Sequence, residues 1–302
     1  MNRFFSLIAP LAFALCFSVA ASAPGREYPS VEKSEVGGLV VSTLSIDGKP
    51  ARLIVDTGAS HTTLDLEFAG ANFPDKKALP VVLLGATNVK TAPKLMKALL
   101  ECGCSAGGRD TFRRDDYPFY LMDLRELRRV MNDAVDGILG MNTMREAPFR
   151  FHAGGAIFSF PEDAEPAPDM FPLRGDPDAG DRLILMARAG GREIPLLLDT
   201  GSSVTSVPED LWEAGKGGMI HCDSTDINGR NRGMAAVGAP MDLEIGENLV
   251  LRQVRPLLQP KGGSGILGLD ALQDLEILRV PANTPGGRAV WYGRIMTKSP
   301  SK

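Results

Sequence analysis

The chain has 302 residues, 44% apolar and 23% charged, an ordinary balance for a folded protein and long enough for one large domain or two medium ones. A net charge of −4 gives no electrostatic reason to expect nucleic acid or an anionic membrane surface as partner. With 33 Gly and 22 Pro against 4 Tyr and 2 Trp, turns and short strands are favoured over long helices.

The N-terminal stretch MNRFFSLIAPLAFALCFSVAASA has one positive charge, Arg3, then an uncharged apolar run ending in Ala21-Ser22-Ala23. This is the layout of a secretory signal peptide, residues 1–23. The run is long enough to span a bilayer, but Pro10 and the small-residue ending favour cleavage over a kept anchor. The expectation is an exported protein, periplasmic or secreted, with no integral membrane span after cleavage. Cys16 follows Leu15 rather than a small residue and is not read as a lipid-attachment site. Little sequence separates Ala23 from the first strand near Gly37, so no activation segment is expected.

From there the chain is written twice. Apolar strands GLVVSTLSI and RLILMARA each run into a glycine turn, at Gly48 and Gly191. A second strand follows each turn, and it delivers Asp-Thr-Gly: Asp56-Thr57-Gly58 in RLIVDTGASHTT and Asp199-Thr200-Gly201 in PLLLDTGSSVTS. The two aspartates stand 143 positions apart. Short helices are expected after each turn, around TLDLEFAG and PEDLWEAG, the second with Pro208 suited to a first helical position. Further on, DGILGMNTM is answered by SGILGLDAL, and a Gly-Gly turn with a strand, GGAIFSF, by GGRAVWY. Four landmarks recur in one order, which predicts two β-rich lobes related by duplication, residues 31–160 and 182–297. Between them, Pro161 to Asp181 holds five prolines and seven acids in 21 residues, read as an extended linker without strand or helix.

A lone Asp-Thr-Gly arises by chance in roughly one chain in twenty of this length. Two copies in a repeated frame point to carboxylates meant to meet. Like charges in contact cannot both ionise, so such a pair shares a proton, and one member can act as base while the other acts as acid. Gly58 and Gly201 let the backbone turn sharply and offer N–H groups. Thr57 and Thr200 can hydrogen-bond across an interface between lobes. Ser202 can donate to the outer oxygen of Asp199, where Ala59 offers Asp56 nothing, so Asp56 is expected to hold the shared proton more readily.

The motifs VDTGAS with DGILG, and LDTGSS with SGILG, resemble those of the aspartic proteases of the pepsin and retropepsin superfamily, in particular bacterial exported members with two retropepsin-like repeats. The resemblance covers most of residues 36 to 295. It implies a mainly β, bilobal acid-protease fold with an active-site cleft between the lobes. It makes Asp56 and Asp199 the catalytic pair around a nucleophilic water, with no cofactor, no metal and a polypeptide substrate. It also implies that a β-hairpin flap closes over the cleft. The candidate flaps, VLLGATNVKTAP and DINGRNRGMAAV, lack the tyrosine that pepsins carry there. Because both aspartates lie in one chain, a monomer is expected. A peptide-binding pseudoprotease using the same cleft is the rival reading; it has no need of the full set of aspartates, threonines and glycines.

Other features carry less. Ser60 and His61 are adjacent, and neighbours on an extended segment point opposite ways, so no nucleophile pair is read there; no G-x-S-x-G elbow is present. The charged stretch between Arg109 and Arg129 reads as a solvated helix or loop face, or else as an insertion touching a protein substrate. Cys102, Cys104 and Cys222 are odd in number, and CGC lacks a second Cys or His cluster for a metal, so thiols are expected.

Overall fold

The computed structural model describes residues 31–80, 94–103, 111–132, 134–161, 164–178, 180–226, 229–262, 264–282 and 287–296. The leader-like segment 1–23, Cys104 and the whole first candidate flap, 82–93, lie outside the described residues.

Alternation of apolar and polar residues makes Val40–Ile46 and Lys49–Val55 a hairpin. Asp47 and Gly48, with φ of 47° and 76°, turn it, which glycine accepts without steric cost. Gly190 and Gly191 do the same between Leu183–Ala189 and Arg192–Leu198. In the first half, six strands close on themselves in the order Val40–Ile46, Lys49–Val55, Gly137–Leu139, Thr63–Asp65, Thr111–Met122 and Lys94–Gly103. The last pairs back to the first through Ser45 with Glu101 and Ile46 with Leu100. Closure removes the free edges and wraps a core that includes Leu44, Leu53, Leu64, Leu100 and Phe119, each worth roughly 1.5–3 kcal/mol when fully buried. The second half builds a ten-stranded sheet that is not closed in this way.

One device occurs in both halves. The strand that delivers the aspartate pairs in parallel with the Gly-Ile-Leu strand: Val55 opposite Leu139, and Leu198 opposite Leu267. The strand after the aspartate turn then pairs antiparallel to that same Gly-Ile-Leu strand, Thr63 opposite Ile138 and Ser206 opposite Ile266. The central strand begins with glycine because its neighbour's backbone is too near for a side chain. A Cβ on Gly137 would strike the Thr63 carbonyl, and one on Gly265 the Ser206 carbonyl.

A five-stranded sheet joins the halves, in the order Ile157–Ser159, Phe149–His152, Leu275–Val280, Val290–Ile295 and Phe171–Pro172. Phe151 sits opposite Ile277, and Trp291 meets Phe149 edge to face at 5.3 Å. The fold is mainly β, of the bilobal acid-protease kind.

Several sequence expectations change here. The acidic, proline-rich stretch does contain strands: Phe171–Pro172 pairs with Val290–Ile295, and Gly175–Pro177 with Leu183–Ala189. These are two- and three-residue edge strands, and an edge needs only half its backbone groups paired, which proline allows. The charged run is not a helix or loop face throughout, because Thr111–Met122 is a barrel strand. Tyr117, Phe119 and Leu121 point inward in alternation with half-buried Pro118 and Tyr120, while Arg113 to Asp116 are exposed. Of the two helices, Leu66–Asn72 forms, capped by Asp65, whose Oδ1 accepts the N–H groups of Glu67 and Phe68. The other is only a 3₁₀ turn, Glu209–Leu211, with Pro208 ending the strand before it. The described residues of the second flap candidate, Asp226 and 229–237, lie in an antiparallel hairpin, Lys216–Asp226 with Gly229–Gly238, on which Cys222 is a free, half-buried thiol.

Gly137→Ala and Gly265→Ala should each destabilise the protein by about 1–3 kcal/mol, since an added methyl meets backbone that can yield only by shifting a paired strand. Urea unfolding of the two variants measures this. Wild-type midpoints in both would mean that the strand spacing is looser than described.

Candidate active site

Each aspartate is fixed from behind by its own fold unit. The N–H of Asp56 donates to the Leu139 carbonyl at 3.0 Å, and that of Asp199 to the Leu267 carbonyl at 3.1 Å. Each turn then folds back on its carboxylate. Asp56 Oδ1 accepts from the N–H groups of Gly58 (2.8 Å) and Ala59 (2.9 Å), and Asp199 Oδ1 from Gly201 (2.9 Å). The glycines are required by contact across the halves: a Cβ on Gly58 would overlap the Asp199 carboxyl, and one on Gly201 the Asp56 carboxyl.

The threonines tie the two turns together. Thr57 Oγ1 donates to the Leu198 carbonyl at 2.7 Å and accepts the N–H of Thr200 at 3.1 Å. Thr200 Oγ1 donates to the Val55 carbonyl at 2.7 Å and accepts the N–H of Thr57 at 3.0 Å. Both threonines are buried, so all four bonds are shielded from water.

Residues not singled out in the sequence complete the support. Thr62 Oγ1 accepts the Gly140 N–H, and Thr205 Oγ1 the Gly268 N–H, at 3.0 and 3.1 Å. The N–H groups of Thr62 and Thr205 go to Asn142 Oδ1 and Asp270 Oδ1. The signal was present, since Ser60-His61-Thr62 and Ser203-Val204-Thr205 lie at the same spacing of 143 as the aspartates.

Each carboxyl lies against the glycine of the opposite turn, close enough for the two to couple electrostatically, and two like charges so placed favour sharing a proton. Both keep some surface open to solvent, but protein crowds the carboxyls and burial dominates. The Asp56 pKa is pushed well above the usual aspartate range by burial, then by the Asp199 charge and by the bond between the two. Asp199 is also raised by burial, but less, because the bond from Asp56, the N–H groups of Gly201 and Ser202, and the charge of Arg182 all favour its ionised form. Both carboxyls are thus biased toward the protonated form, Asp56 the more strongly, and they titrate as one coupled pair. The direction is the one the sequence suggests; the expected cause is corrected. The Ser202 hydroxyl donates to the Val204 carbonyl at 2.9 Å, and only its N–H favours the Asp199 anion.

The expectation that Ser60 and His61 diverge is also corrected. The chain bends after the turn, and Ser60 Oγ lies 2.7 Å from His61 Nδ1. The His61 ring stacks edge-on against Tyr120, and burial, then Arg145 and Arg182, push its pKa down. Among the described residues no carboxylate hydrogen-bonds its other nitrogen, so an oriented nucleophile pair is not formed. Likewise, among the described residues, no three His, Cys, Asp or Glu side chains gather as metal ligands would, and no helix is long and apolar enough to cross a membrane.

Two β-units that present touching Asp-Thr-Gly turns define the architecture of an acid protease. Comparison with known proteins agrees at that level. Residues 42–143, which hold Asp56 and its Gly-Ile-Leu strand, match the aspartyl protease family model, and the match supports protease activity in general. Among solved structures, the chain is similar to edgp, with a TM-score of 0.52 and 11% identity over 87% of this chain and 93% of that one. At that identity the likeness concerns the fold alone. Compared with curated proteins, the sequence has no match.

Two outcomes follow from this geometry. Thr57→Val and Thr200→Val each strand a buried N–H and a buried carbonyl, at about 1–3 kcal/mol per group, so either should lower the urea midpoint markedly. Thr→Ser at the same sites should restore most of it; equal loss in Val and Ser variants would assign the effect to packing. The second outcome concerns pH. A carboxyl whose folded pKa is raised lends its stability in full below the ordinary aspartate value and loses it as pH climbs through the raised one. Asp56→Asn does not titrate, so its midpoint should gain on the wild type progressively as pH rises above the ordinary aspartate value of about 4. A difference that stays flat with pH would contradict a raised Asp56.

Proposed function

We propose that the protein is an aspartic endopeptidase that hydrolyses peptide bonds of a polypeptide substrate in the cleft between two lobes. The lobes are residues 31–160 and 182–297, two retropepsin-like repeats of the bacterial exported type, joined by 161–181. The observation that carries the reading is the contact of Asp56 with Asp199, with both turns fixed by the Thr57 and Thr200 bonds. A water held between the carboxyls gives a proton to the Asp199 carboxylate as its oxygen attacks the peptide carbonyl carbon. Asp56 gives its proton to the carbonyl oxygen, so a neutral tetrahedral diol forms. Collapse of the diol moves a proton to the amide nitrogen, breaks the C–N bond and releases amine and acid. No covalent enzyme intermediate and no cofactor enter. Gly58, Gly201 and the N–H of Ser202 hold the pair in place during these steps. An exported monomer fits this reading, since the leader-like residues 1–23 precede a chain that carries both aspartates.

Asp56→Asn and Asp199→Asn should each cut kcat on a denatured protein substrate by about 10²–10⁴-fold or more, and the double variant should be little worse than either single. Circular dichroism should show the fold unchanged. If binding of the substrate persists in the wild type but no hydrolysis is detected at any pH, the peptide-binding alternative replaces this reading. Sedimentation of an active sample should give the monomer mass; activity confined to a dimer would remove the proposal that one chain completes the site.

A further inference from the structure

The two ends of the site are built alike and finished differently. After the aspartate turns, Ser60 matches Ser203 and His61 matches Val204, each pair 143 positions apart. Behind each serine lies a glycine at the same spacing. A Cβ on Gly180 would touch Ser60 Cβ at 3.0 Å, and one on Gly37 would overlap Ser203 Oγ. Each glycine belongs to a turn closed by a backbone bond, Asp178 N–H to the Arg182 carbonyl (2.8 Å) and Ser34 N–H to the Leu39 carbonyl (2.7 Å). Arg182 and Leu39 therefore occupy matched places, one cationic and one apolar.

Arg182 is aimed at the site. Its Nε donates to Asp178 Oδ2 at 2.8 Å, and its Nη2 lies 2.5 Å from the same oxygen, an ion pair along one edge of the guanidinium. The other side is turned to the dyad, where Nη1 donates to the Gly58 carbonyl at 3.2 Å. Gly58 is the residue whose N–H holds Asp56. The Arg182 side chain keeps 35% of its surface exposed. The two hydrogen bonds use two of the five N–H donors of a guanidinium. Arg145, joined to Asp181 at 2.6 Å and half-exposed, adds positive charge that reaches His61.

The turn does not need the charge in order to form. Asp178 Oδ1 already accepts the N–H groups of Gly180 and Arg182, at 2.8 and 3.0 Å, and the matched turn closes with leucine in the same place. At the opposite end Val204 is 39% exposed and offers no donor from its side chain.

Resting on the endopeptidase reading above, we propose that the cleft is chemically polarised. Arg182 receives a carboxylate side chain, Asp or Glu, of the substrate on the Ser60–His61 side of the scissile bond, and the Ser203–Val204 side receives an apolar one. Asp178 orients the guanidinium for this purpose, and Arg182 is a specificity-determining residue.

The test is a peptide series with one cleavable sequence, carrying Glu or Gln at each of the positions flanking the bond in turn. The wild type should favour Glu over Gln at one position or two adjacent positions on a single side, by about 10- to 100-fold in kcat/KM, the scale of a charge-assisted hydrogen bond. Arg182→Leu, which copies the matched residue of the other half, should reduce that ratio to near one, whatever its absolute rate. Arg182→Glu should reverse it in favour of Lys. No preference at any position, or a preference that survives Arg182→Leu, overturns the proposal. Should none of the peptides be cut by the wild type, the endopeptidase reading fails by itself. The Glu-to-Gln ratio is then read from the affinities of the same fluorescent peptides for wild type and Arg182→Leu. A ratio that depends on Arg182 supports the polarised cleft, and its absence sinks it.

Discussion

The four hydrogen bonds of Thr57 and Thr200 are the constraint on which the site depends. Each hydroxyl reaches into the opposite half, giving its proton to the carbonyl just before the other aspartate and taking the N–H just after it. A displacement of one half against the other would break bonds in a buried setting where no water replaces them. The carboxyls need this. Without an imposed contact, two acids with raised pKa values would separate into water and ionise independently, and their coupling would be lost.

Rigidity of the turns is inherited from the strands behind them. The Gly-Ile-Leu strand lies between the strand entering each aspartate turn and the strand leaving it, so the turn is anchored on both sides to one β-ladder. Glycine at its first residue is the cost of that close spacing. Part of the asymmetry of the pair comes from outside the turns, where Arg182 lends positive charge to Asp199. A framework with near two-fold regularity thus holds two acids in unequal surroundings.

Much of this was legible in the sequence because the device is local and repeated. Asp-Thr-Gly after an apolar strand, with Ile-Leu-Gly downstream, names the aspartates and the strand that supports them. What escaped was set by tertiary placement. Thr111–Met122 reads as a charged face, since Arg113 to Asp116 stand as one exposed block between the inward Phe112 and Tyr117, and only barrel closure shows which side is covered. The short strands at Phe171–Pro172 and Gly175–Pro177 are dictated by partners far along the chain, not by their own composition. Arg182 sits beyond any motif, and its approach to Gly58 depends on how the halves meet.

The central sheet has a consequence for synthesis. Phe149–His152 is covered on one edge by the neighbouring Ile157–Ser159, but its other edge is completed only by Leu275–Val280. On a ribosome adding about 5–20 residues per second, that partner emerges many seconds later. During the interval the nascent first half presents an open ladder edge flanked by Phe149, Phe151 and Phe158, a template for pairing with other chains. The interleaving that seals the finished molecule leaves the growing one sticky, and a chain kept extended until it is whole avoids the hazard.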